Sequence, residues 1–305
     1  MKLVRIRMEY VHPWPNHAGL FTARAQGFYR QAGLDVDIIA DGWERGTPAE
    51  LVARGEYQFA SIRLGELVET RQGKNPMKAL ATFNQRQMGG VISLKSKNIH
   101  SFADLEGKTV AVPFTEPRLV ESIRQSVTRA GADFSKVNIV HPGGMWEPDI
   151  RAVEKGQFDA VFNVLGWESY QGISPVDEIV QLSFDEVGVT PHHTYFICAT
   201  DEMIALEPDT VRSFIQATQR GFEYAFAHPD QALEACADTM CHVDPEVLRH
   251  SLNFMMPSWL TDNGRWGHIQ PELVDNYMQW MISGGFSTGK MADVTSSWTN
   301  EFLDS

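Results

Sequence analysis

The sequence predicts an α/β chain folded into two lobes, and three observations carry that prediction. Strand signals alternate with helix signals from the first residues onward. At 305 residues the chain is long enough for two lobes with separate cores. A short unit also recurs. Residues 52–61 read Val-Ala-Arg-Gly-Glu-Tyr-Gln-Phe-Ala-Ser, and residues 153–162 read Val-Glu-Lys-Gly-Gln-Phe-Asp-Ala-Val-Phe. Each is a helix end, a basic residue, Gly, a polar residue, an aromatic and then a strand, so two distant places share one local design.

Taken in order, Leu3 to Tyr10 sets Val4, Ile6, Met8 and Tyr10 against Arg5, Arg7 and Glu9, the period-two pattern of a strand. A loop rich in Pro and aromatics, Val11 to Gly19, leads into a helix with Ala18, Phe21, Thr22, Ala25 and Tyr29 on one face. Asn16 is placed to cap it and Gly33 to end it. Leu34, Val36 and Ile38 alternate with Asp35 and Asp37, which completes a βαβ unit. Gly89-Gly90 opens a strand to Leu94, and Ser101 to Val112 reads as a short capped helix, a turn and a strand. Another strand is expected at Ala160–Val164. Thr194 to Ala199 reads as a strand returning to the first lobe, followed by an amphipathic helix carrying Val211, Phe214, Ile215, Thr218, Phe222 and Ala225. From about residue 229 the pattern is helical. The expected division is residues 1–89 and 195–305 in lobe one and 90–194 in lobe two.

Composition narrows the function. Hydrophobic residues make up 43% and charged residues 21%, as in ordinary globular proteins. No apolar run approaches the ~18–20 residues of a membrane-spanning helix. A formal net charge of −13 leaves no basic footprint for nucleic acid and disfavours anionic membranes. The cysteines Cys198, Cys236 and Cys241 make an odd set without framework spacing, which leans toward a reducing compartment. Residues 3–10 alternate instead of forming the apolar stretch of about 7–15 residues of a secretory signal. The chain is therefore expected to be either a mature extracytoplasmic protein or a cytoplasmic one.

Asn16-His-Ala-Gly-Leu-Phe-Thr-Ala-Arg-Ala-Gln-Gly-Phe-Tyr-Arg-Gln-Ala-Gly-Leu-Asp-Val36 resembles a segment of ABC-importer solute-binding proteins that serve sulfonates, nitrate, thiamine-precursor pyrimidines and riboflavin. Phe102-Ala-Asp-Leu-Glu-Gly-Lys-Thr-Val110, Glu207 to Ala217 and Ala227 to Ala232 resemble later parts of the same family. The likeness covers roughly residues 3–235 and is nearest the pyrimidine-precursor branch, which includes the fungal thiamine-pyrimidine synthase. It implies a type 2 periplasmic-binding-protein fold whose lobes close by a hinge around a solute. It also implies an importer permease as partner, and the chain crossings are expected near Gly89–Val91 and His193–Tyr195.

On that expectation Trp14, Asn16 and His17 line the cleft, where a ring, an amide and an imidazole suit a planar hydrogen-bonding solute. The bland alternative is local packing beside two prolines and a helix cap. Trp167 and Glu168 follow the strand Ala160–Val164, where a carboxylate beside an aromatic could pair with the donor edge of an aminopyrimidine. Otherwise Glu168 is a solvated first-turn acid. Arg63 and Gln87 sit at a strand end and before a crossing, each with a surface or structural alternative. His193 and Tyr195 sit at the second crossing. Neither Trp14 nor Glu168 reads as core. Thr115 and Glu116 begin a helix, but an acid and Pro117 there disfavour an anion site.

Adjacent His192 and His193 point to opposite sides of an extended chain, and Cys236-x4-Cys241-His242 lacks a second ligand pair, so no metal is expected. No nucleophile elbow, phosphate loop or dinucleotide fingerprint occurs, and neither a catalytic residue nor a cofactor is expected. The fungal synthase uses a lysine for pyridoxal phosphate, a histidine and a cysteine-rich run. The matching positions here are Ile62, Glu66 and the stretch Thr190–Cys198, with one cysteine. The expected function is binding of a thiamine-related pyrimidine or similar heteroaromatic. A cytoplasmic enzyme on the same fold and a ligand-sensing domain are the alternatives.

Overall fold

The computed structural model describes residues 1–113, 117–142, 150–167 and 176–304. Along the chain it forms β1 (Lys2–Arg7), α1 (Ala18–Ala25), α2 (Phe28–Gln31), β2 (Leu34–Ile39), α3 (Pro48–Ala53), β3 (Phe59–Ile62), α4 (Leu64–Thr70) and β4 (Met77–Thr82). Next come β5 (Gly89–Leu94), β6 (Thr109–Ala111), α5 (Pro117–Arg129), β7 (Asn138–Val140), α6 (Ile150–Glu154), β8 (Ala160–Val164) and β9 (Ile179–Ser183). The chain ends with β10 (Phe196–Thr200), α7 (Asp201–Leu206), α8 (Pro208–Ala227), α9 (Pro229–Thr239), α10 (Pro245–Met255), α11 (Pro271–Ser283) and α12 (Met291–Val294). It divides into a larger unit, Met1–Arg86 with His192–Ser305, and a smaller one, Gln87–Pro191.

Each unit has its own sheet and core. The larger unit's sheet runs β2-β1-β3-β10-β4 and the smaller unit's β7-β6-β8-β5-β9. In both, the first three strands are parallel and the last two pair antiparallel, so the two sheets share one plan. The sequence echo lies at equivalent places in that plan, entering β3 and β8. Gly55 (φ 75°) and Gly156 (φ 71°) end α3 and α6 in the left-handed region that glycine adopts without a Cβ penalty. Their N–H groups bond back to the carbonyls of Val52 and Val153. In the larger unit Leu51, Leu67, Val68, Ile269, Met278 and Met281 bury against strand residues Ala60, Ile62, Ala79 and Phe196. Elsewhere in that unit α1 packs on α8 and α9, with Gly221 so close that a Cβ would lie 2.2 Å from the Gly19 carbonyl oxygen. The smaller core gathers Val91, Phe102, Val110, Ile123, Phe162 and Phe184.

Three local expectations change. The first strand stops at Arg7 rather than Tyr10. Beyond Met8, whose N–H still reaches the Ile39 carbonyl, Pro13 and Pro15 bring no donors to extend a ladder. Asn16 is not a helix cap. It lies inside a 3-10 turn, Pro15–His17, with its side chain turned inward, and the helix breaks at left-handed Gly27. The region after residue 229 is not helical throughout, because Gly267 bridges to Thr82 and Trp298 to Ala79 at the edge strand β4.

Candidate functional site

Parallel β1, β2 and β3 point their carboxyl ends the same way, and in open α/β sheets ligands gather at such ends. Beyond β1, Glu9 turns inward and is 8% exposed. One of its oxygens, Oε1, accepts from Trp14 Nε1 at 3.0 Å and pairs with His17 Nε2 at 3.0 Å. The other, Oε2, has no hydrogen bond among the described residues, and neither has His17 Nδ1. The Ser61 hydroxyl of β3 lies toward the same carboxylate without a standard hydrogen bond to it. Burial pushes the Glu9 carboxyl up, but the charge and hydrogen bond of His17, helped by Ser61, outweigh it and hold the group below the usual carboxylate range. Ionised Glu9 can only accept, so His17 carries its proton on Nε2 and presents a lone pair at Nδ1 when neutral. Glu9 Oε2 is therefore an acceptor in either state of His17, whose Nδ1 accepts when the ring is neutral and donates when it is charged. It suits a group with N–H donors and opposes an oxoanion.

The aromatic wall differs from the expected one. Trp14 is fully buried, with its ring tilted on Tyr10 at 5.2 Å and edge-on to Tyr195 at 6.1 Å. It belongs to the core because its indole N–H satisfies the buried carboxylate. Asn16 is equally buried. It exchanges amide hydrogen bonds with Asn84 at 3.0 and 2.8 Å, and its Oδ1 also accepts from Trp259 Nε1 at 3.0 Å. Asn84 further donates to Ser258 Oγ at 2.8 Å. This network ties the first loop to segments more than sixty residues away in sequence.

His193 extends it. Its Nδ1 lies 2.9 Å from the Asn84 carbonyl, and its Nε2 accepts from the Gln270 N–H at 2.9 Å, so neither nitrogen is left for a solute. Burial lowers its pKa to about 4, against the raising effect of the Asn84 carbonyl. The folded value lies below the unfolded 6.5, so the unfolded chain binds the extra proton between the two. Stability from this group is complete above pH 6.5 and is lost as pH falls toward 4, roughly 3 kcal/mol at 1.36 kcal/mol per unit. Urea unfolding between pH 7.5 and 4.5 should show this decline. The non-titrating His193→Gln should flatten it, and a wild-type curve flat across that window contradicts the assignment.

The remaining expected residues scatter. Tyr195 is buried with the Arg63 guanidinium 5.9 Å from its ring centre, and Arg63 itself is exposed. Gln87 is buried and donates to the carbonyls of Val189 and Thr190 within the smaller unit. Trp167 is buried just after β8, and Glu168 lies outside the described residues, as do Thr115 and Glu116. Ile62 is packed in β3, and burial raises the Glu66 carboxyl against the lowering effect of Arg63. Burial and nearby Glu66 push the Cys198 thiol well up, which makes it a poor nucleophile. Among the described residues no three His, Cys, Asp or Glu side chains group as metal ligands, and no helix is long and apolar enough to cross a membrane. Glu9, Tyr10 and Asn84 were not expected at the site. For Glu9 the alternation is a poor guide, because its polar phase is already buried at Arg7, at the end of β1.

A family described as NMT1/THI5 like matches residues 14–232. The formylaminopyrimidine-binding protein of Halalkalibacterium halodurans is 23% identical over 92% of this chain and 85% of its own length. The riboflavin-binding protein RibY of Chloroflexus aurantiacus is 24% identical over 99% of this chain and 86% of its own. The structure of the periplasmic aliphatic sulphonate binding protein SsuA from Escherichia coli superposes with a TM-score of 0.68 at 13% identity, covering 99% of each chain. That likeness establishes the periplasmic-binding-protein fold.

Proposed function

Because the chain belongs to the NMT1/THI5-like family, we propose that it is a solute-binding protein for a small heteroaromatic amine of the pyrimidine class, which it delivers to an ABC importer. The observation that carries this is the buried acceptor just beyond β1, Glu9 Oε2, which has no hydrogen bond among the described residues. A pyrimidine amino group can donate to such an acceptor, and a charge-assisted bond to Glu9 is among the stronger ones. A sulfonate or nitrate would meet a carboxylate instead of donors. The names of the relatives that bind formylaminopyrimidine and riboflavin support a nitrogen heterocycle. Delivery to an importer places the protein outside the cytoplasm. The synthase chemistry of the fungal branch has no support at Ile62 or Glu66, where its lysine and histidine would stand.

Thermal unfolding with a panel of solutes tests the proposal. A ligand at 100 times its dissociation constant adds about 2.7 kcal/mol. An amino-hydroxymethyl-methylpyrimidine should therefore raise the melting temperature, while ethanesulfonate and nitrate leave it unchanged. Stabilisation by the anions alone overturns it.

A further inference from the structure

We infer that Trp43 is a solute-contacting aromatic of this site, carried on a loop fastened by a clamp centred on buried Arg7. The inference rests on the proposal that the strand ends of the larger unit take a heteroaromatic solute. It supplies the ring surface that Trp14, enclosed in the core, does not.

Arg7 ends β1 and is wholly buried. Its guanidinium donates to the carbonyls of Ile39 at 3.2 Å, Asp41 at 2.7 Å and Gly42 at 2.9 Å, and it pairs with the Asp41 carboxylate. These acceptors are the end of β2 and the first residues after it, directly beside the β1 segment that leads to Glu9. A buried cation carries a large desolvation penalty unless its donors are satisfied. Here most of them are satisfied by fixing one surface loop.

The far side of that loop is also pinned. Arg54 donates to the Arg45 carbonyl at 2.7 Å, Arg45 pairs with Glu56, and Thr47 with Glu50 forms a capping box on α3. Between the two anchors the Gly46 N–H closes a turn onto the Trp43 carbonyl at 3.0 Å. Trp43 stands in this turn with 39% of its surface exposed, the one tryptophan among the exposed large hydrophobics of the described residues. A large exposed ring on a loop fastened at both ends is preorganised to stack on a planar molecule without losing conformational freedom on binding.

Calorimetric titration with the amino-hydroxymethyl-methylpyrimidine, paired with tryptophan fluorescence, tests this on wild type, Trp43→Ala and Trp43→Phe. The position is exposed, so both variants should fold. Trp43→Ala should weaken binding roughly 5- to 150-fold, the range for losing one base stacked on an aromatic side chain. Trp43→Phe should keep most of the affinity and lose the fluorescence change that the solute produces in wild type. Wild-type affinity in Trp43→Ala, or an undiminished fluorescence change in Trp43→Phe, overturns the Trp43 assignment and leaves the proposed function standing. No binding by wild type overturns both.

Discussion

Changing Trp14 to alanine should destabilise the larger unit by about 3–5 kcal/mol, the range for emptying a buried large aromatic. From sequence alone the position looked like an open wall that could be trimmed without harm to folding. In the structure the ring is fully enclosed, packed between Tyr10, His17 and Tyr195. Its indole N–H also supplies one of the two bonds on Glu9 Oε1. The alanine variant therefore combines a cavity with a buried carboxylate that has lost a donor. Trp14→Phe separates the two effects, since it fills most of the space and still removes the donor. It should lie between wild type and alanine in urea unfolding. An alanine variant within about 1 kcal/mol of wild type would place Trp14 outside the core.

Glu9→Gln should fold and bind poorly. The amide keeps the shape, and its oxygen can still accept from Trp14 and His17. The change falls on the other atom, because an NH₂ replaces Oε2 and a donor then faces the amino group of the solute. Losing a hydrogen bond to a charged group removes roughly 1.5–3 kcal/mol, about a 10- to 150-fold loss in affinity. The stability loss should be smaller than for Trp14→Ala, since both donors on Oε1 keep an acceptor. Acid adds a second signature. The folded Glu9 carboxyl sits below the usual range, so its contribution to stability is present above the unfolded value and disappears as pH falls through the folded one.

Much of the fold was legible because it is written in local periodicity. The alternation at Leu34–Ile38, the strand at Ala160–Val164 and the repeated helix-end glycines Gly55 and Gly156 are patterns in neighbouring residues. The site was only half legible because its geometry is made by distant partners. Asn16 looks like a cap until Asn84 and Trp259 are seen to hold it. His193 looks available until Asn84 and Gln270 take both nitrogens. The alternation sets Glu9 on the polar phase of β1, a phase already buried at Arg7, and Trp43 has no neighbouring pattern at all. What singles it out is the buried guanidinium of Arg7, joined to its loop across two strands.

The most direct test of the central claim, that a buried acceptor beyond β1 reads the donor edge of a heteroaromatic solute, is one calorimetric experiment. Wild type and Glu9→Gln are titrated with the amino-hydroxymethyl-methylpyrimidine and, separately, with ethanesulfonate. The account predicts saturable binding of the pyrimidine to wild type, a 10-fold or greater loss in Glu9→Gln, and no binding of the sulfonate to wild type. Binding of the sulfonate by wild type, or equal pyrimidine affinity in the two proteins, would contradict it.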